Sequence, residues 1–162
     1  MNITRKSEYT DFLEELNNND YCKTLKNETE FNINNHYFDK CNIVLSFLEY
    51  MPNLEKLVLI GCKLKKLEYI SNLKHLKYLN LMDTNVKDLS FLKNSNSIVE
   101  LNMFGSPARD FSPILNLNNL NHVYTVESKA SLILFTHLKN LKRFNNYLLI
   151  SNYWRRVSNT RT

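Results

Sequence analysis

Between residues 54 and 133 the apolar positions recur at a fixed distance. Leu54, Leu57, Leu59, Cys62, Leu64 and Leu67 return 22 residues later as Leu76, Leu79, Leu81, Thr84, Val86 and Leu89. A second step of that length gives Ile98, Leu101, Met103, Ser106, Ala108 and Phe111, and a third gives Leu120, Val123, Thr125, Ser128, Ala130 and Ile133. Ile70, Leu92 and Ile114 form one more column at the same spacing. A single helix or a lone strand has neither this period nor this internal spacing. A period of roughly 20–50 residues marks a stack of equivalent units.

The spacing inside one unit predicts its local structure. Leu57 and Leu59 point to one side of a short strand and Val58 to the other. The chain must then turn, with residue 62 inside the turn. The column there reads Cys62, Thr84, Ser106 and Ser128, small residues that can all donate a hydrogen bond to backbone groups left unpaired by the turn. Gly61 and Gly105, the only glycines, share the position just after the strand, where a tight turn favours glycine. Leu64 and Leu67 then return to the core from the opposite side. One such unit is too small to bury its apolar face alone, so stability has to come from neighbours in the stack.

The pattern resembles the L-x-x-L-x-L-x-x-N/C-x-L motif of the leucine-rich repeat family. It is most similar to the short class of 22 residues found in phosphatase-1 regulatory subunits, the outer-arm dynein light chain and bacterial internalins. The turn column departs from that family in having no Asn, which predicts a somewhat weaker ladder of turn hydrogen bonds. The resemblance covers residues 28–146 and implies an α/β leucine-rich repeat solenoid of five to six repeats. In that fold a curved parallel β-sheet lines the concave side, and short helices or 3-10 turns form the convex side.

The flanks are read as closures of the stack. Phe31, Ile33, His36 and Phe38 make a plausible first repeat with His36 in the turn, 26 residues before the next. The longer return segment 41–51, CNIVLSFLEYM, is predicted as a helix stopped by Pro52. Tyr9, Phe12, Leu13 and Leu16 fall at i, i+3, i+4 and i+7, which predicts an amphipathic helix capping the N-terminal end. Residues 1–27 are therefore assigned to a helical cap, 28–146 to repeats and 147–162 to an irregular C-terminal cap and tail in which Trp154 covers the last repeat. HLKNLKRF (137–144) echoes KHLKYL (74–79), one residue out of step.

The resemblance places binding on the concave strands. Three outward columns flank the core leucines: Glu30, Lys56, Tyr78, Glu100 and His122; then Asn32, Val58, Asn80, Asn102 and Tyr124; then Asn34, Ile60, Met82, Phe104 and Val126. The third column puts apolar residues in four successive repeats where solvent is expected. A continuous apolar stripe of that kind marks a surface that another molecule covers, and Tyr78 and Tyr124 border it. The expected partner site is thus Val58, Ile60, Tyr78, Asn80, Met82, Glu100, Asn102, Phe104, His122, Tyr124 and Val126.

Charge and composition refine this reading without redirecting it. The 162 residues carry a formal net charge of +5. Lys65, Lys87 and Arg109 recur at the repeat spacing, with Lys63, Lys66, Lys74, Lys77 and Lys93 nearby. Such a stripe could track phosphates, but Glu68, Asp88 and Asp110 interrupt it and no aromatic residues interleave. Cys22, Cys41 and Cys62 are an odd set without clustered spacing, which points to a reducing compartment and against a disulfide framework. The charged N-terminal stretch and the lack of a long apolar run predict a soluble protein of the cytoplasm or nucleus, with no membrane contact.

No catalytic or phosphate-cradling motif occurs, and His75, His122 and His137 lack metal-ligand spacing. The sequence therefore predicts no enzyme, no cofactor and no metal. It predicts a protein-interaction adaptor, monomeric by preference, that grips a partner in its concave face. Two other roles fit the resemblance: a component of a nucleic-acid-associated complex, and a viral or pathogen effector acting on host proteins.

Overall fold

The computed structural model describes residues 1–34, 42–125, 138 and 140–146. Its main feature is a seven-stranded sheet whose strands all run parallel. In order these are β1 (Asn2–Ile3), β2 (Glu30–Asn34), β4 (Lys56–Ile60), β6 (Tyr78–Asn80), β7 (Glu100–Met103), β8 (His122–Thr125) and β9 (Arg143–Asn146). A small second sheet pairs β3 (Asn42–Val44) with β5 (Lys63–Lys65). Helices α1 (Lys6–Glu15) and α2 (Asn19–Thr24) lie between β1 and β2.

The repeat seen in the sequence is the register of this sheet. Leu57 pairs with Leu79, Leu79 with Leu101, and Leu101 with Val123, each one repeat further along the chain. The first step, Glu30 to Lys56, is longer, and the last, His122 to Arg143, is one residue shorter than the central ones. Both departures are visible in the sequence. Backbone bonds carry the ladder beyond the strands, as in Leu81 N–H to the Asn102 carbonyl at 2.8 Å and Gly61 N–H to the Met82 carbonyl at 2.9 Å.

The inward leucines make the core. Leu54, Leu57, Leu59, Leu79, Leu81, Ile98, Leu101 and Val123 have essentially no solvent exposure. On the far side the chain returns through 3-10 segments at Leu45–Tyr50, Leu67–Asn72, Ser90–Leu92 and Ser112–Ile114. So short a repeat leaves room for a turn or two of tight helix and little more. Ile70, Leu92 and Ile114 are buried from these segments, whereas Leu67 is only partly covered.

The turn column works through hydroxyls. Thr84 Oγ1 and Ser106 Oγ both donate to the Leu81 carbonyl oxygen, at 2.7 and 2.6 Å, and lie 2.9 Å from each other. The Cys62 thiol makes a longer contact of 3.4 Å with the Ile60 carbonyl. Just before this column, Gly61, Asp83 and Gly105 all adopt positive φ (69°, 54° and 71°). Asp83 thus holds a backbone shape that glycine holds in the two neighbouring repeats.

At the N-terminal end Phe12 meets Phe31 and Phe47 at ring-centroid distances of 5.4 and 5.2 Å, so α1 covers the apolar end of the first repeat. Tyr9 is buried with it, but Leu13 is 41% exposed and does not join the buried face. The Glu8 carboxylate accepts from the backbone N–H groups of Thr4 and Arg5 at 2.7 and 2.9 Å and fixes the start of the helix.

The helix expected over 41–51 is absent over the described part of that segment. Asn42–Val44 is a strand, with Ile43 buried between exposed neighbours, and a 3-10 segment follows at Leu45–Tyr50. The β-branched pair Ile43–Val44 favours the strand, and β5 offers it a partner. His36, Phe38, Cys41, Ser128, Ala130, Ile133, His137 and the expected C-terminal cap with Trp154 lie outside the described residues.

Candidate protein-binding face

The concave strands hold their outward side chains in the three columns that the register requires, and each column has its own character. In the first, Lys56 Nζ lies 3.1 Å from Glu30 Oε2 and 6.0 Å from the centre of the Tyr78 ring. Further along, His122 Nδ1 is 3.9 Å from Glu100 Oε2. Lys56 and Glu30 on adjacent strands thus face each other with opposite charge, and His122 stands beside Glu100. One column earlier, Lys77 pairs with Glu55 at 2.9 Å in the same way.

The middle column departs from expectation. Val58 and Asn80 are buried, with exposures of 6% and 7%, although strand alternation puts both in the solvent-facing partner site. Val58 stands in register between Asn32 and Asn80. Adjacent strands lie only ~4.8 Å apart, and concave curvature crowds side chains in the centre of the face. Asn80 also serves the backbone. Its Oδ1 accepts from Met82 N–H at 3.0 Å, and its Nδ2 reaches the Tyr78 hydroxyl at 3.4 Å. Asn102 repeats the first of these bonds to Phe104 N–H at 3.0 Å. Both asparagines close the bend where the strand gives way to the turn, as Asx side chains commonly do.

The third column carries the apolar surface. Ile60 and Met82 are half-buried, and Phe104 is one of three large apolar residues with high exposure among the described residues, at 37%. Asn80 and Asn102 fix the backbone that presents Met82 and Phe104, so these side chains project from a rigid edge. Tyr78, Asn102, Glu100, His122 and Tyr124 are half-exposed around them. Val126, the fourth member of the stripe, lies outside the described residues.

Among the described residues no group of three His, Cys, Asp or Glu side chains could hold a metal ion. Cys22 and Cys62 are both buried. No helix among the described residues is long and apolar enough to cross a membrane.

A parallel ladder of short strands closed by 3-10 turns is the architecture of an α/β solenoid. Residues 52–94 match the family model for leucine-rich repeats in two copies, and the chain has the leucine-rich repeat fold. No curated protein matches it. Among solved structures it is similar to an internalin (InlF) of Listeria monocytogenes, with a TM-score of 0.58 and 24% identity over 74% of this chain and 41% of that one. Internalin C2 of the same organism gives a TM-score of 0.62 and 22% identity over 77% and 55%. The leucine-rich repeat ectodomain of the Arabidopsis thaliana receptor kinase SOBIR1 gives 0.51 and 18% over 65% and 59%. The chain therefore spans between 41% and 59% of the length of these structures.

Proposed function

We propose that this protein is a non-enzymatic interaction module that holds a protein partner against its concave face. The observation that carries this reading is the row Ile60, Met82 and Phe104: apolar side chains at one repeat position, partly open to solvent, on an edge whose backbone is fixed by Asn80 and Asn102. Apolar and aromatic side chains on a rigid frame lose little entropy when covered. The leucine-rich repeat fold, which generally mediates contacts between proteins, supports the reading.

The roles divide across the face. Ile60, Met82 and Phe104 supply apolar contact, with Val126 expected to extend it. Tyr78, Asn102 and Tyr124 border the row, and Glu100 and His122 orient the partner at the rim. Val58 and Asn80 support the face from beneath. The adaptor role and an intracellular setting belong to the same proposal; the buried free thiol of Cys22 fits a reducing compartment.

A photoreactive benzoylphenylalanine at position 104 tests the site directly. In extract it should crosslink to a discrete protein, whereas the same group at Lys93, on the convex side, should not. Equal crosslinking from both positions would refute a concave site.

A further inference from the structure

A second surface lies away from the apolar row, past the turn and at the start of the convex side. Strand β5 buries Leu64 and turns Lys63 and Lys65 to solvent. Asn85, one repeat on, clamps this strand: its Oδ1 accepts from Leu64 N–H at 2.7 Å and its Nδ2 donates to the Leu64 carbonyl at 3.3 Å. The side-chain amide thus continues the two-stranded sheet, so Lys87 follows Lys65 at the next repeat and Arg109 follows Lys87. All three are exposed, as is Lys66.

The lysines in this row are unspent, while Arg109 donates from one guanidinium nitrogen to the Ala108 carbonyl at 3.0 Å. Lys63, Lys65 and Lys87 make no ion pair or hydrogen bond among the described residues, whereas Lys23, Lys56 and Lys77 each meet a carboxylate at 3.1 Å or less. The adjacent acids are committed elsewhere. Asp88 accepts from Ser90 N–H at 2.8 Å and Asp110 from Ser112 N–H at 2.9 Å, which opens the next 3-10 segment in each repeat. They stay ionised, beside the cationic row and not within it.

We infer that Lys63, Lys65, Lys87 and Arg109 bind the sugar–phosphate backbone of single-stranded nucleic acid. Three features favour that partner. Lysine is depleted in the centres of protein interfaces, and the aromatic nearest this row, Tyr69, is half-buried with Lys66 Nζ 5.9 Å from its ring centre, which leaves Val44 as the exposed large apolar residue at the row's end. An anionic membrane is a plane, and laying it on the row would also press it onto Asp88 and Asp110. A linear polyanion can follow the row and leave those carboxylates to one side. Tyr69, half-buried beside Lys66, is a lone ring and the row carries no series of rings on which successive bases could stack, so binding is expected to be indifferent to sequence and steeply dependent on salt.

Fluorescence anisotropy of the whole chain with a short labelled oligouridylate tests this. Binding is expected at low salt, with a slope of log K against log salt of about −3 for four phosphate contacts on a single strand. Lys65→Glu/Lys87→Glu/Arg109→Glu should weaken it by about tenfold or more and flatten the slope. The corresponding triple Gln variant should weaken it less and guards against a folding defect in the first. A Phe104→Glu variant should bind as the wild type does. No binding at low salt, or undiminished binding by both triple variants, would overturn the inference. So would displacement of the RNA by polyglutamate at equal charge, or binding to phosphatidylserine vesicles without binding to RNA; these would assign the row to an acidic peptide or a membrane surface.

Discussion

Thr84 and Ser106 stand one repeat apart and share a single acceptor, the Leu81 carbonyl oxygen, with their own hydroxyls 2.9 Å from each other. Where related repeats place an Asn amide, this chain uses a pair of hydroxyls from successive repeats. Both side chains are buried, so neither hydroxyl can exchange its bond for water. Thr84→Val and Ser106→Ala should each destabilise by about 1–3 kcal/mol. The double variant should cost more than the sum, because either hydroxyl alone still satisfies the Leu81 carbonyl and only the loss of both leaves it unpaired. Urea denaturation of the four proteins checks this; strict additivity would mean that the two bonds are independent.

Gly105 accepts a side chain only at a cost. A Cβ there would run into the Asp83 carboxylate, and the backbone φ of 71° is costly for any L residue. Gly105→Ala should therefore destabilise by more than the roughly 1–3 kcal/mol of the backbone strain alone. Adding Asp83→Gly should restore part of the loss, since it removes the clash. If Gly105→Ala melts like the wild type, Asp83 does not occupy that space in solution.

Acid should weaken the fold in a defined window. The Thr4 backbone N–H, helped by the Arg5 side chain, lowers the Glu8 carboxyl from 4.5 to about 2. The backbone N–H groups of Ser90 and Ser112 and their hydroxyls lower Asp88 and Asp110 in the same direction. A carboxyl that is more acidic when folded favours the folded state above its unfolded pKa. That advantage disappears as pH falls through the folded value. Stability should hold above about pH 4.5 and decline toward pH 2, and Glu8→Gln should flatten part of the decline. Urea midpoints at several pH values would show it.

Phe12 is the contact through which α1 closes the stack. Phe12→Ala should cost about 3–5 kcal/mol, with hydrogen exchange accelerating first in β1 and β2. Exchange that accelerates evenly over all strands would instead mean that the solenoid unfolds as one unit.

Most of the fold is readable because it is periodic. Leucines at 57, 79 and 101 dictate the register, and even the long first step and the short last one can be counted. The return segment 41–51 misleads because an apolar run of that length fits helix and strand alike. The decisive factor is β5, a partner far along the chain. The candidate face is legible only in its outer columns. Alternation predicts which side of a sheet a residue faces and says nothing about crowding, so Val58 and Asn80 are buried against expectation. Nor does a repeat column distinguish an asparagine that meets a partner from one that, like Asn80 or Asn102, bonds its own backbone two residues on.

The most direct test of the central claim is capture from cell extract by three folded proteins: the wild type, Met82→Glu/Phe104→Glu and the triple Glu variant of Lys65, Lys87 and Arg109. A protein retained by the wild type and the triple variant but lost with Met82→Glu/Phe104→Glu is the predicted result. Equal retention of that protein by Met82→Glu/Phe104→Glu would contradict the account.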